Sequence, residues 1–225
     1  MSSLIADPVL FHLGPVPVTE ATLTSFAITA ALGGASSLLG RRLSARPGRL
    51  QAATEVVVAA IGDQVRAIVR RDPAPYLPLL GTLFLFLVAA NCAGVLPMVH
   101  APTEHIETPL ALALIVFFSV AGYGVRAHGL LGYLKRFLEP SPLLAPIHLL
   151  SQATRTFSLM MRLLGNIMSH GLVLAVVVSV AGFLVPVPLM AFALFVGIVQ
   201  SYIFTVLAAV YVGAAIEEQV DGRDA

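Results

Sequence analysis

Charge is scarce in this sequence. Of 225 residues, 11% are Asp, Glu, Lys or Arg, against about 25% in ordinary soluble domains. That shortage, with 58% hydrophobic residues and a mean hydropathy of +0.91, excludes a water-soluble domain. A net charge of +1 is too balanced for a nucleic-acid binder, and no nucleic-acid partner is expected. Cysteine occurs once, at Cys92, inside an apolar run. No intrachain disulfide can form and no metal-ligand spacing exists. Cys92 reads as a small buried hydrophobe. No Lys or Arg precedes the apolar residues of MSSLIADPVLFHL, so a cleaved secretory leader is not expected. Acidic residues are missing from the whole stretch between Glu139 and Glu217, and proline is missing from Ile147 to Val185.

What is present is apolar sequence in long blocks. A membrane span needs about 20 mainly apolar residues. Five blocks qualify: 19–39, 76–96, 109–125, 147–185 and 188–216. The segment 50–71 differs, because Glu55, Asp63, Arg66 and Arg70 interleave with its apolar positions. It reads as an amphipathic helix lying at the interface. The expected fold is therefore all-α and polytopic, one membrane domain over 1–225. At about 1.5 Å per residue, 147–185 would make about 58 Å of helix and 188–216 about 43 Å. A hydrocarbon core of about 30 Å then requires tilt or protrusion. The PVP at Pro186–Pro188 joins the two as an antiparallel hairpin.

Lys and Arg set the orientation. They fill 41–71 and 126–136, and are missing from the loops 97–108 and 182–188. Five spans then put the N-terminus outside and the C-terminus, EEQVDGRDA, in the cytoplasm.

Polar residues within the fourth block form a pattern. With Arg162 at zero and about 100° per residue, Arg155, Ser151 and Ser169 fall within about 20° of it. Ser158, Asn166 and His148 fall within about 40°, and Gly165 near 60°. The opposite face is Leu, Met, Val and Ala. Arg155, nearer the basic side, fits a snorkelling or interfacial residue. Arg162 is two turns deeper, where a charge costs roughly 3 kcal/mol on insertion scales. Its guanidinium does not deprotonate, so it must face water or a carboxylate. With no acid between Glu139 and Glu217, that carboxylate belongs on another subunit. In the last block, Gln200 lies deep and Tyr211 shares nearly its face. Gln200 fits helix-to-helix hydrogen bonding. The hairpin could equally set its amide oxygen beside the Arg162 guanidinium.

These residues carry a resemblance. TEVVVAAIGDQV (54–65), NCAGVLP (91–97), PTEHIETPLALAL (102–114), FSLMMRLLGNIMSHG (157–171) and VQSYIFTVLAAVYVGAAIEE (199–218) resemble subunit a of the F-type ATP synthase. The likeness runs from about Leu50 onward. Its most specific parts are the R-L-x-G-N core and the Q-x-Y-I-F run. The resemblance implies a stator subunit with two ion half-channels, coupling H+ or Na+ flow to rotation. The family's essential arginine falls at Arg162, its asparagine at Asn166 and its glutamine at Gln200. It also implies a ring of c subunits as partner, b subunits of the peripheral stalk, surrounding membrane lipid, and a bacterial inner membrane. No cofactor, no metal and no catalysis by the chain itself are expected. Each charge crossing about 100 mV would supply about 2.3 kcal/mol.

Three positions depart from the family's pattern. Gly171 stands where an acid or histidine is usual, Ala193 where many bacterial members have histidine, and PTEHIE where the outer loop usually reads like PTADLN. Ser169 and His170, with water and the loop residues Glu104, His105 and Glu107, are the candidates for the outer half-channel. The loop acids also fit ordinary solvated residues, and His170 a packing residue. These swaps resemble the N-type branch of the family, where sodium coupling is expected. Two rival classes fit less well. A secondary transporter of an anionic substrate would show inverted repeats and broken helices at mid-membrane. An intramembrane enzyme would need a paired Ser and His, but Ser169 and His170 diverge by about 100° on a helix.

Overall fold

The computed structural model describes residues 9–13, 16–41, 48–94, 106–138, 143, 145–181 and 186–217. The chain opens with two short strands, β1 (Val9–Leu13) and β2 (Val16–Thr19), paired antiparallel. Six helices follow: α1 (Glu20–Arg41), α2 (Arg49–Val69), α3 (Leu77–Ala93), α4 (Glu107–Leu138), α5 (Ala145–Ala181) and α6 (Pro186–Ile216). The protein is a helical, polytopic membrane chain. Three helices contain stretches long and apolar enough to cross a bilayer: Ala21–Leu38, Glu107–Lys135 and Val187–Ile216. The shorter α3 has 17 residues.

Two details add to the expected helical fold. A short β1–β2 hairpin precedes α1; at five and four residues the strands are too short to show a period. The helix holding the third apolar block runs on through the basic segment to Leu138. Its break comes at Gly129, with φ 73° and ψ 164°. Only glycine adopts that conformation without strain. Beyond it the chain turns back, since Tyr133 lies against Gly124, where an added Cβ would sit 2.5 Å from the ring.

One apolar core joins five helices. Val65 and Val69 enter from α2, Leu80, Leu83 and Leu87 from α3, and Leu112, Val116 and Val120 from α4. Leu159 and Leu163 enter from α5, and Phe204, Ala208, Ala209, Val212 and Ile216 from α6. The periods of three and four are those of helix faces turned inward. α6 touches α2, α3, α4 and α5, so it is the axis of the bundle. Its small Ala208 and Ala209 let neighbours come close, as membrane helix packing favours. α1 stands at the edge, against α3, α4 and β2, with only Ala21 buried among its described hydrophobics.

The amphipathic reading of α2 is matched by its packing. Ile61, Val65, Ile68 and Val69 face the core, while Glu55, Asp63, Arg66 and Arg70 are exposed. The helix ends at Arg70 in the left-handed conformation, whose N–H donates to the Arg66 carbonyl (2.9 Å). The Tyr123 hydroxyl of α4 then donates to the Pro75 carbonyl (3.1 Å), and its ring meets Tyr76 edge-on. The basic end of α4 is thereby tied to the basic α2–α3 turn. At the opposite end, Thr19 caps α1 and joins it to α4. Its hydroxyl accepts the Thr22 N–H (3.4 Å), and donates to Glu107 Oε2 (3.2 Å). Glu107 thus stands in the first turn of α4, where the helix dipole favours an anion.

Candidate functional site

α5 presents its polar stripe outward. Arg155, Ser158, Arg162, Gly165 and Ser169 are exposed, as are Ser151 and His148, and Asn166 is half-buried. Leu159, Met160 and Leu163 hold the other side against the bundle. The geometry follows from the helical period, since Leu159 and Leu163 lie four apart and anchor one face. Among the described residues, no side chain hydrogen-bonds or ion-pairs with Arg162. Ser169 is satisfied within its own helix, donating to the Gly165 carbonyl (2.6 Å). His170 belongs to α5, but its side chain lies outside the described residues, as do Glu104 and His105 entirely.

Arg155 of α5 meets α6: its guanidinium carbon sits 5.6 Å from the centre of the Tyr211 ring, a cation–π contact. The hydrogen bond expected between Gln200 and Arg162 is not formed. Gln200 is instead 7% exposed, with its Nε2 buried and unpartnered.

The polar group that does bind α6 lies on α3. Asn91 Nδ2 donates to the Leu87 carbonyl (2.9 Å), the Gly197 carbonyl (3.1 Å) and Ser201 Oγ (3.0 Å). Ser201, fully buried, donates in turn to the Gly197 carbonyl (2.8 Å). Gly197 is required there, because a Cβ would sit 2.9 Å from Asn91 Cβ. Asn91, Gly197 and Ser201 were not singled out as site residues from the sequence. Their signal was present: an asparagine in the NCAGVLP run, and two small residues four apart on α6. Cys92, the next residue on α3, corrects another expectation. It is free and exposed, because Leu83, Leu87 and Ala90 carry the buried face of that helix.

Glu107 lines a groove of about 690 Å³ between α1, α3 and α4, with Thr22, Ser25, Thr29 and Thr82 among its hydroxyls. Among the described residues no group of three or more His, Cys, Asp or Glu is gathered for a metal.

Arg162 is thus a fixed cation on the exposed face of a long apolar helix, with no counter-charge among the described residues. The family model described as ATP synthase A chain matches residues 22–213. "ATP synthase subunit a 2" of Bradyrhizobium sp. (strain BTAi1 / ATCC BAA-1182) is 52% identical over 98% of this chain and 99% of that one. "ATP synthase subunit a 1" of Hahella chejuensis is 44% identical over 98% and 94%, and "ATP synthase subunit a 2" of Pelobacter propionicus 41% over 92% and 91%. The chain belongs to the ATP synthase subunit a family. It is a membrane-embedded component of an ATP synthase, and serves ATP synthesis and ion transport.

Proposed function

We propose that this chain is the ion-conducting stator subunit, passing H+ or Na+ between two half-channels and the carboxylates of a c-subunit ring. The observation that carries the reading is Arg162, exposed on α5 with no partner among the described residues. A permanent cation favours the charged form of a carboxylate brought near it, and so favours release of the bound ion. The same charge repels a cation attempting to pass directly between the half-channels. Asn166, and Ser169 with His170, extend the polar face along α5. Glu104, His105 and Glu107 give the outer loop an anionic character that draws cations toward it. The chain itself performs no bond chemistry.

Five spans accommodate the helices: α1, α3, α4, α5 and α6, with α2 at the interface and the α5–α6 pair tilted along the ring. The distribution of Lys and Arg supports an outside N-terminus and a cytoplasmic C-terminus in a bacterial inner membrane. The b subunits of the peripheral stalk would hold the chain against rotation. Gly171 and Ala193 support assignment to the N-type branch.

The test is coupled ATP synthesis by the assembled complex in vesicles carrying Arg162→Gln. Coupled ATP synthesis is expected to fall to background while the complex still assembles with its c-ring. Wild-type coupling in that variant would remove the basis of the proposal.

A further inference from the structure

The far end of α4 has no part in the ion path proposed above. From Glu107 to the break at Gly129 the helix rises about 33 Å at about 1.5 Å per residue. That is close to one hydrocarbon thickness of about 30 Å. A straight helix to Leu138 would measure about 48 Å, and would carry its last turns clear of the bilayer. Gly129 prevents that. Its φ of 73° and ψ of 164° lie where residues with a side chain are strained, and Tyr133 lies back against Gly124. The segment after the break therefore leaves the axis of the span at headgroup depth. Its outward side is apolar. Leu130, Leu131 and Leu134 are 64%, 86% and 52% exposed. Around the helix these three span about 100°, and Tyr133 falls outside that arc.

The same end of the bundle is basic. Arg126 and Lys135 stand before and after the leucines, and both are exposed. Arg70 and Arg71 are exposed on the α2–α3 turn, where Asp72 is the acid. The Tyr123 hydroxyl, donating to the Pro75 carbonyl (3.1 Å), holds the two segments at one end. An apolar face beside cations, at the depth of the interface, is the pattern of a helix lying in the headgroup layer. We propose that the segment after Gly129 is a membrane-surface anchor. Its leucines enter the leaflet at the basic end of the bundle, and Arg126 with Lys135 bind the phosphates of anionic phospholipids. Lipid is the occupant because the break sets the leucines at bilayer depth and the charges around them match anionic headgroups. The inference rests on the chain's being embedded in a membrane, and is independent of ion conduction.

The experiment places a spin label at Leu131→Cys in a Cys92→Ser background, in the assembled complex. The complex is reconstituted in vesicles of phosphatidylcholine, alone or mixed equally with phosphatidylglycerol. Collisions with oxygen report lipid, and collisions with a neutral nickel chelate report water. The label is expected to meet oxygen far more than nickel. Each cation near an anionic surface contributes about a factor of five to binding. The ratio of immersed to water-exposed label should therefore be severalfold higher with phosphatidylglycerol, and Arg126→Gln with Lys135→Gln should erase that difference. Leu134→Cys repeats the measurement should the first variant not assemble. A label open to nickel in both vesicles would overturn the inference. So would a label shielded from both reagents, which would mean that a protein neighbour covers the leucines. Immersion that is equal in the two lipids would overturn the recognition of anionic headgroups, and the inference with it.

Discussion

α5 and α6 look alike in sequence, both long, apolar and punctuated by a few polar residues, yet they treat those residues in opposite ways. α6 hides them. Gln200, Ser201 and Thr205 are all buried, and Ser201 is held from α3. α5 displays them. Ser158, Arg162 and Ser169 are exposed. α6 touches four other helices, so its polar groups are read by its own chain. The polar face of α5 is left for something outside. Composition alone does not separate an internal strut from a working surface; the direction in which the polar stripe points does.

The comparison can be broken from the α5 side first. Arg162→Gln is expected to abolish coupled ATP synthesis while leaving the thermal unfolding temperature of the purified complex unchanged, because no described partner loses a bond. A loss of stability comparable to the loss of coupling would mean that α5 too is a strut. On the α6 side the pattern should invert. Phe204→Ala empties a site that is 1% exposed, and should cost about 3–5 kcal/mol in a denaturation series. Gly197→Val drives a side chain into Asn91, and overpacking of that kind costs about 1–3 kcal/mol. Less complex should be recovered from that variant, with the residual fraction showing reduced flux. Where the helices meet, a double-mutant cycle on Arg155→Ala and Tyr211→Leu should return a coupling of about 0.5–1 kcal/mol. A coupling near zero would mean that the contact does not help hold α5 against α6.

Much of this was legible because a helix projects its sequence onto faces at a fixed angle. The stripe through Arg155, Arg162 and Ser169, the two-sided α2, and the long final pair all follow from that period. What the period leaves open is the rotation of each helix against its neighbours. Gln200 had two readings, helix-to-helix bonding or a bond to Arg162; its helix is held by Asn91, through a contact across 106 positions that no local pattern encodes. Cys92 was expected inside for its chemistry, and lies outside because Asn91 and Ala90 take the inward positions. The break at Gly129 was hidden because it is one of several glycines in a mixed, basic stretch, and none of them stands out as the turning point. The β1–β2 pair was hidden by its brevity. The family's sequence runs, by contrast, depend on residue identity at fixed spacing, and they pointed to the same α5 face that is turned outward.

The acid-free stretch that contains Arg162 has a consequence for the life of the chain before assembly. A newly inserted copy carries a permanent positive charge for which its own described residues offer no balancing negative one. The bilayer disfavours that charge, and in the function proposed above a neighbour brings the carboxylate, so that association would stabilise the inserted form by mass action. Solitary copies should therefore be cleared quickly, and pulse-chase in cells lacking the ring protein would measure how much faster they vanish.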